Sequence, residues 1–177
     1  GATTRAGLLS APLRDRFGIL ANFEFYNKND LSNIIQRSAR ILGVSIEEAA
    51  ALELAGRSRG TPRITNRLLR RVRDVAQVRG ESTIGSKTTH DALGILNVNE
   101  QGLEKLDMKI LSVLVETYEG SPVGLSTLAI SVGENEETIA EVCEPFLIQL
   151  GFVERTPRGR RVTSHGRRYF EDWKSRQ

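Results

Sequence analysis

Arginine is the residue type whose spacing in this chain points to chemistry. Arg14 and Arg16 flank Asp15 just beyond Pro12. Arg63 follows Gly60-Thr61-Pro62, where Thr61 can cap a helix, Pro62 suits its first turn and Gly80 can end it. The helix so predicted holds Arg63 at the positive end of its backbone dipole, a natural place for a phosphate. Arg155, Arg158, Arg160 and Arg161 crowd a second stretch, on or beside the tight turn Pro157-Arg158-Gly159-Arg160. Long side chains on a hairpin tip reach phosphates or a minor groove, contacts that position a duplex without reading its sequence. Each stretch also has a plain structural reading: arginines paired to Asp15 or solvent, a surface helix, a solvated or protein-docking basic hairpin.

The elements that must position these residues are mainly helical. Ile19–Tyr26 is rich in β-formers and reads as a strand, with Tyr26 half-buried. Asp30 caps a helix whose buried side is Leu31, Ile34, Ile35, Ile41 and Leu42, and Gly43 stops it. Ser45 and Glu48 have capping-box spacing for the next helix, which ends near Gly56. The arginine-loaded helix follows, its apolar stripe made of Ile64, Leu68, Val72, Val75 and Ala76, and Lys87–Leu96 is a shorter one. Four helices with tight links predict a small bundle. Asn97–Leu106 then reads as a link between domains. Asp107–Tyr118, Leu125–Val132 and Glu136–Leu150 read as three helices, and Phe152–Thr156 with Arg161–Ser164 as a hairpin. Three helices followed by a hairpin is the winged-helix pattern, a helix-turn-helix variant. Its reading helix is unsuited to base contacts: Glu134, Glu136, Glu137, Glu141 and Glu144 would face phosphates, and Pro145 interrupts the backbone. The wing is the better DNA-binding element, and Gly166–Trp173 is a basic, aromatic tail that can continue as helix.

The blocks GATTRAG at Gly1–Gly7, PLRDRFG at Pro12–Gly18, EFY at Glu24–Tyr26, SRGTPRITNRLLRRVRD at Ser58–Asp74 and RTPRGR at Arg155–Arg160 occur in a fixed order. That order resembles the RuvB family, motor ATPases that drive branch migration of Holliday junctions. The resemblance implies a mainly α chain: the end of an AAA+ core over residues 1–26, a helical lid over 27–99 and a winged-helix DNA-binding domain with a β-hairpin wing over 100–177. It places Thr3 and Thr4 at sensor 1, with Thr4 preferred. Arg14 and Arg16 fall in the segment of the trans-acting arginine finger, with Arg16 preferred. It also sets Tyr26 and Pro62 beside the adenine, Arg63 as the sensor-2 arginine, and Arg155 and Arg160 on DNA ahead of Arg158 and Arg161. Further implications are a homohexamer, ATP or ADP with Mg²⁺ in the full-length parent, a RuvA-like junction-binding partner, a RuvC-like resolvase in the same pathway and duplex DNA at Holliday junctions. Walker A and Walker B elements are missing from this sequence, so the expectation is that the 177-residue chain alone holds no nucleotide, does not hydrolyse ATP and binds a RuvA-like partner poorly. Leu20-Ala21-Asn22 stands where the family usually has a more polar stretch, and the tail from Arg168 onward is longer and differently charged.

Composition narrows the alternatives. The net charge is +3, but residues 151–177 carry eight basic and three acidic residues, while residues 100–150 carry two and ten. Such asymmetry argues for a polyanion-binding surface at the C-terminal end. No apolar run approaches the ~20 residues that span a bilayer, and Gly1–Ser10 has no charged leader followed by an apolar block. The single Cys143 excludes an internal disulfide and suits a reducing cytoplasm. His90 and His165 stand apart and make no metal cluster. A winged-helix transcription regulator and an initiator or clamp-loader ATPase share parts of the pattern; the acidic reading helix counts against the regulator.

Overall fold

The computed structural model describes residues 1–3, 7 and 9–176. Helix α1 (Ala11–Arg14) is one turn with Pro12 at its start, and everything from Ala11 to Asp30 is exposed. The stretch 19–26 forms no strand: Ile19 is 89% and Phe23 93% exposed, and the backbone contact that ties its end down is Tyr26 N–H to the Gly60 carbonyl, 2.9 Å. β-forming side chains need a partner edge to make a strand, and the described residues offer none there.

Helix α2 (Lys28–Ile41) is capped by Asn27, whose Oδ1 accepts from the Asp30 N–H at 2.9 Å; Asp30, the expected cap, sits in the first turn. Its buried stripe is Leu31, Ile35 and Ala39, with Leu42 half-buried, while Ile41 falls off that stripe and is 75% exposed. Strand β1 (Ser45–Ile46) pairs in parallel with β2 (Thr83–Ile84), and Ser45 lies two residues before the N-cap of the next helix, too early to serve a capping box. Helix α3 (Glu48–Gly56) instead takes Glu47 as its N-cap, without a side-chain bond. Helix α4 (Pro62–Val78) buries Thr65, Leu68, Leu69, Val72 and Ala76 and ends at Gly80, in the left-handed region. Helix α5 (Ser86–Ile95) completes the bundle. Helices α2–α5 share one core, from Leu31 to Val98.

A second core runs from Leu103 to Phe170. Helix α6 (Lys105–Ser112) opens with a capping box between Glu104 and Asp107 and passes into a π-turn over Val113–Thr117. Helix α7 (Leu125–Val132) ends on left-handed Gly133. Helices α8 (Glu136–Thr138) and α9 (Glu144–Gln149) are joined through a π-turn, Ile139–Cys143. Pro145 therefore does not break this helix. It lies in the first turn of α9, and the widened turn before it absorbs the missing donor. Strands β3 (Val153–Thr156) and β4 (Gly159–Val162) are antiparallel with Arg155 opposite Arg160, so the turn is only Pro157-Arg158 and Arg160 belongs to the strand. Val123 bridges to Arg160 on the other side of β4, and a Cβ at Gly159 would lie 2.2 Å from the Val123 carbonyl oxygen, which reserves that position for glycine. Helix α10 (Ser164–Ser175) is no loose tail: Phe170 is buried in the second core, and Tyr169 stacks on Phe152 with ring centroids 4.5 Å apart. The result is a mainly helical chain, a small bundle followed by a winged helix with a hairpin wing. Among the described residues no helix is long and apolar enough to cross a membrane, and no group of three or more His, Cys, Asp or Glu side chains is placed to hold a metal ion.

Candidate functional site

The loop between α3 and α4 is where the chain's parts meet. Arg57 Nη1 donates to the Val98 carbonyl at 3.3 Å and Nη2 to Glu53 at 2.6 Å. Ser58, fully buried, donates to the Leu54 carbonyl. Arg59 has a left-handed backbone (φ 52°) and is buried; its Nε donates to the Gly102 carbonyl at 2.9 Å and its Nη2 to Asp107 Oδ2 at 2.7 Å. Gly60 lies under Phe25 and accepts the Tyr26 N–H. Helix α4 starts at the next residue. Thr61 is its N-cap by position, but its side chain makes no capping bond and turns back toward the Ser58 carbonyl at 3.5 Å. The first-turn N–H groups of α4 are thus left without a side-chain acceptor, at the positive end of a 17-residue helix. Arg63 stands on that turn, exposed and with no ion pair among the described residues.

Tyr26, Pro62 and Arg63 are therefore brought to one neighbourhood through Gly60. Arg14 and Arg16 are exposed and unpaired among the described residues, at and just after the end of α1. Thr3 is exposed, and Thr4 lies outside the described residues.

The wing is arranged differently from the expectation. Glu144, expected on the outer face of the reading helix, is 2% exposed and sits beneath the hairpin. Arg160 donates to it from Nε to both carboxylate oxygens and from Nη2, each at 3.2 Å, and Arg155 donates from Nε. The Arg160 side chain is only 19% exposed, against 58% for Arg155. Burying a carboxylate requires such partners, and here two arginines supply them. Arg161 points to the other face and pairs with Glu154 at 2.5 Å. Arg158, at the tip, is exposed and free of ion pairs among the described residues. Glu136, Glu137 and Glu141 do remain on the exposed face, so the helix that usually reads bases stays acidic.

Sequence reasoning missed the buried group formed by Arg59, Asp107 and Cys143. Burial pushes the Asp107 carboxyl up from its ordinary value, against the pull of the Arg59 charge and the Glu104 N–H. Among the described residues Asp107 Oδ1 has no well-formed hydrogen bond, and its side-chain neighbour is the Cys143 thiol. Burial and the neighbouring Asp107 charge push the Cys143 thiol up to about 12. At pH 8 this thiol should react with an alkylating reagent about 10³-fold more slowly in the folded chain than in denaturant. Folded and denatured rates within tenfold of each other would mean that this buried group is open to solvent.

Residues 26–99 match the RuvB AAA lid domain and residues 100–171 the RuvB C-terminal winged helix domain. This chain belongs to the RuvB family. Among the RuvB proteins it resembles, the Holliday junction branch migration complex subunit RuvB of Lactobacillus gasseri is 56% identical over 163 residues, covering 92% of this chain and 48% of that protein. The protein of the same name from Fusobacterium nucleatum is 52% identical over 171 residues, covering 97% of this chain and 52% of its own length. The solved Thermotoga maritima RuvB Holliday junction branch migration motor superposes with a TM-score of 0.89 at 48% identity, over 97% of this chain and 57% of that one. The chain spans about half the length of the curated RuvB relatives it matches.

Proposed function

We propose that this chain is the nucleotide-sensing and DNA-gripping half of a RuvB-type motor, an ATP-hydrolysing translocase that pulls duplex DNA through hexameric rings and branch-migrates Holliday junctions in recombination and repair. The observation that carries the reading is the start of α4: an uncapped helix N-terminus with an unpaired Arg63 on its first turn, and Tyr26 bonded to the residue before Thr61. Open amide donors and a free guanidinium suit the phosphates of ATP or ADP, and a half-exposed tyrosine, tied through its N–H to Gly60 two residues before Pro62, suits the base, so the residues present fit a nucleotide. In this reading Mg²⁺ and a phosphate loop would be supplied by sequence outside these 177 residues, since the chain spans about half the length of its RuvB relatives.

In this reading residues 1–26 end the ATPase core, 27–99 form the lid and 100–177 form the winged helix. Arg63 senses the nucleotide from the lid, and Thr3 and Thr4 face the terminal phosphate. Arg16, in preference to Arg14, neutralises charge developing on the nucleotide of the neighbouring subunit. The wing grips DNA through phosphates with Arg158 at its tip, Arg155 and Arg161 beside it, and Arg160 chiefly as a support. The 177-residue chain alone is inactive as an ATPase. A RuvA-like protein and a RuvC-like resolvase complete the pathway in the cytoplasm.

The test is a salt titration of the 177-residue chain on a four-way junction and on duplexes of unrelated sequence. With about three phosphates engaged, log K should fall against log salt with a slope near −2.7 for every sequence. Strong preference for one duplex sequence, with a shallow slope, would replace the motor reading with a transcription regulator.

A further inference from the structure

Asn97–Leu106, holding Asn97, Asn99 and Gly102, reads as a link between domains, yet it is pinned from both sides. Asn99 Oδ1 accepts from the Gln101 and Leu103 N–H groups at 3.0 and 2.9 Å, and its Nδ2 donates to Tyr169 Oη at 2.9 Å. Val98 is buried in the first core and Leu103 in the second. Gly102, with φ +77°, lies so close to the α3–α4 loop that a Cβ there would be 2.8 Å from the Arg57 carbonyl oxygen. Arg59 closes this seam. Its Nε takes the Gly102 carbonyl, its Nη2 takes Asp107 and lies 3.3 Å from Glu104, and its guanidinium stands 4.7 Å from the Phe146 ring centroid. Arg67 and Glu104 pair across the outer edge of the same seam at 2.6 Å. A left-handed backbone at a non-glycine residue persists only where the surroundings hold it, and here they hold it from four directions.

We propose that Arg59 is a positioning residue that locks the lid to the winged helix, so that movement of the α4 start, where Arg63 stands, reaches the wing without slack. This rests on the reading that Arg63 faces nucleotide. The lock is geometric as well as electrostatic. A guanidinium serves a carbonyl, a carboxylate and an aromatic face at once, and an ammonium cannot. Arg59→Lys therefore keeps the charge beside Asp107 but releases the Gly102 carbonyl and the ring.

Spin labels on Ile41→Cys and Ile130→Cys, 75% and 82% exposed in the native chain, report the distance between the two bodies, while buried Cys143 stays unlabelled. The unsubstituted Arg59 background should give one narrow distance distribution, and Arg59→Lys one at least about twice as wide. Arg59→Gln serves as the second variant if the lysine form fails to fold. In the full-length protein, Arg59→Lys should hold basal ATP turnover within about twofold while branch migration per ATP falls about tenfold. A distribution as narrow in both folded variants as in the Arg59 background overturns the lock and leaves the Arg63 reading intact. Nucleotide affinity unchanged by Arg63→Ala overturns that reading instead, whatever the distances show.

Discussion

Arg16→Ala in the full-length protein is expected to lower ATP turnover by about 10³-fold or more while leaving nucleotide affinity within a few-fold, the loss typical of a missing arginine finger. The physical basis is availability. Arg16 follows α1 in exposed chain and has no ion pair among the described residues, even with Asp15 adjacent, so its charge is free to serve another molecule. A guanidinium held against a transferring phosphoryl group stabilises charge that exists only in the transition state, which is why turnover and not binding should suffer. Arg14, also exposed and unpaired, is the control: Arg14→Ala should cost far less. Mixed rings discriminate further. If Arg16 acts in trans, adding Arg16→Ala subunits to unsubstituted ones silences neighbouring sites that carry every other residue. Turnover within tenfold of the unsubstituted protein would remove Arg16 from the role. If Arg63 senses nucleotide as proposed, Arg63→Ala should act in the opposite way, weakening nucleotide affinity first, because such a contact exists already in the ground state.

The fold was legible where local pattern and tertiary demand agree. The stripe Leu68, Val72 and Ala76 of α4 and the glycine stops at Gly43 and Gly80 follow from periodicity and left-handed φ, and both are observed. Three helices and a hairpin were enough to identify a winged helix. Local signals failed where a distant partner decided. Ser45 and Glu48 have capping-box spacing, but Ser45 pairs with Thr83 and the helix starts only at Glu48 with Glu47 as its N-cap, so the box falls out of register. Asn27 and Asp30 compete for one helix start, and either residue type can cap it. The Arg59–Asp107 pair joins residues 48 apart, with nothing in either neighbourhood to announce it. The orientation of the wing arginines follows from strand alternation alone. Strand alternation puts Arg155 on the face of Val153 and Arg160 on the face of Val162, both buried valines, and Arg161 with Glu154 on the opposite face. Two arginines on an inward face need an acid, and Glu144 is it.

That inward pairing separates two substitutions that look alike on a charge map. Arg160→Glu sets a second carboxylate against Glu144, 2% exposed, and removes its better-buried partner. Breaking a buried pair costs about 3–5 kcal/mol, and the added repulsion puts this variant at or beyond the upper end. For a winged helix of this size the midpoint of thermal unfolding should fall by more than about 15 °C. Arg158→Glu changes the same charge at the exposed tip, where no partner among the described residues is lost, so its melting temperature should stay within about 2 °C of the unsubstituted chain. Its DNA affinity should nevertheless drop on every sequence, with a salt slope shallower by about one. Arg155→Glu should fall between the two, because Glu144 keeps Arg160. Weak DNA binding by Arg160→Glu therefore says nothing about contact until folding has been measured, whereas weak binding by a fully folded Arg158→Glu does. If Arg160→Glu melts like the unsubstituted chain, Glu144 is not the buried anchor of the wing. If Arg158→Glu binds DNA undiminished at low salt, the tip does not touch phosphate and the grip lies elsewhere on the basic C-terminal surface.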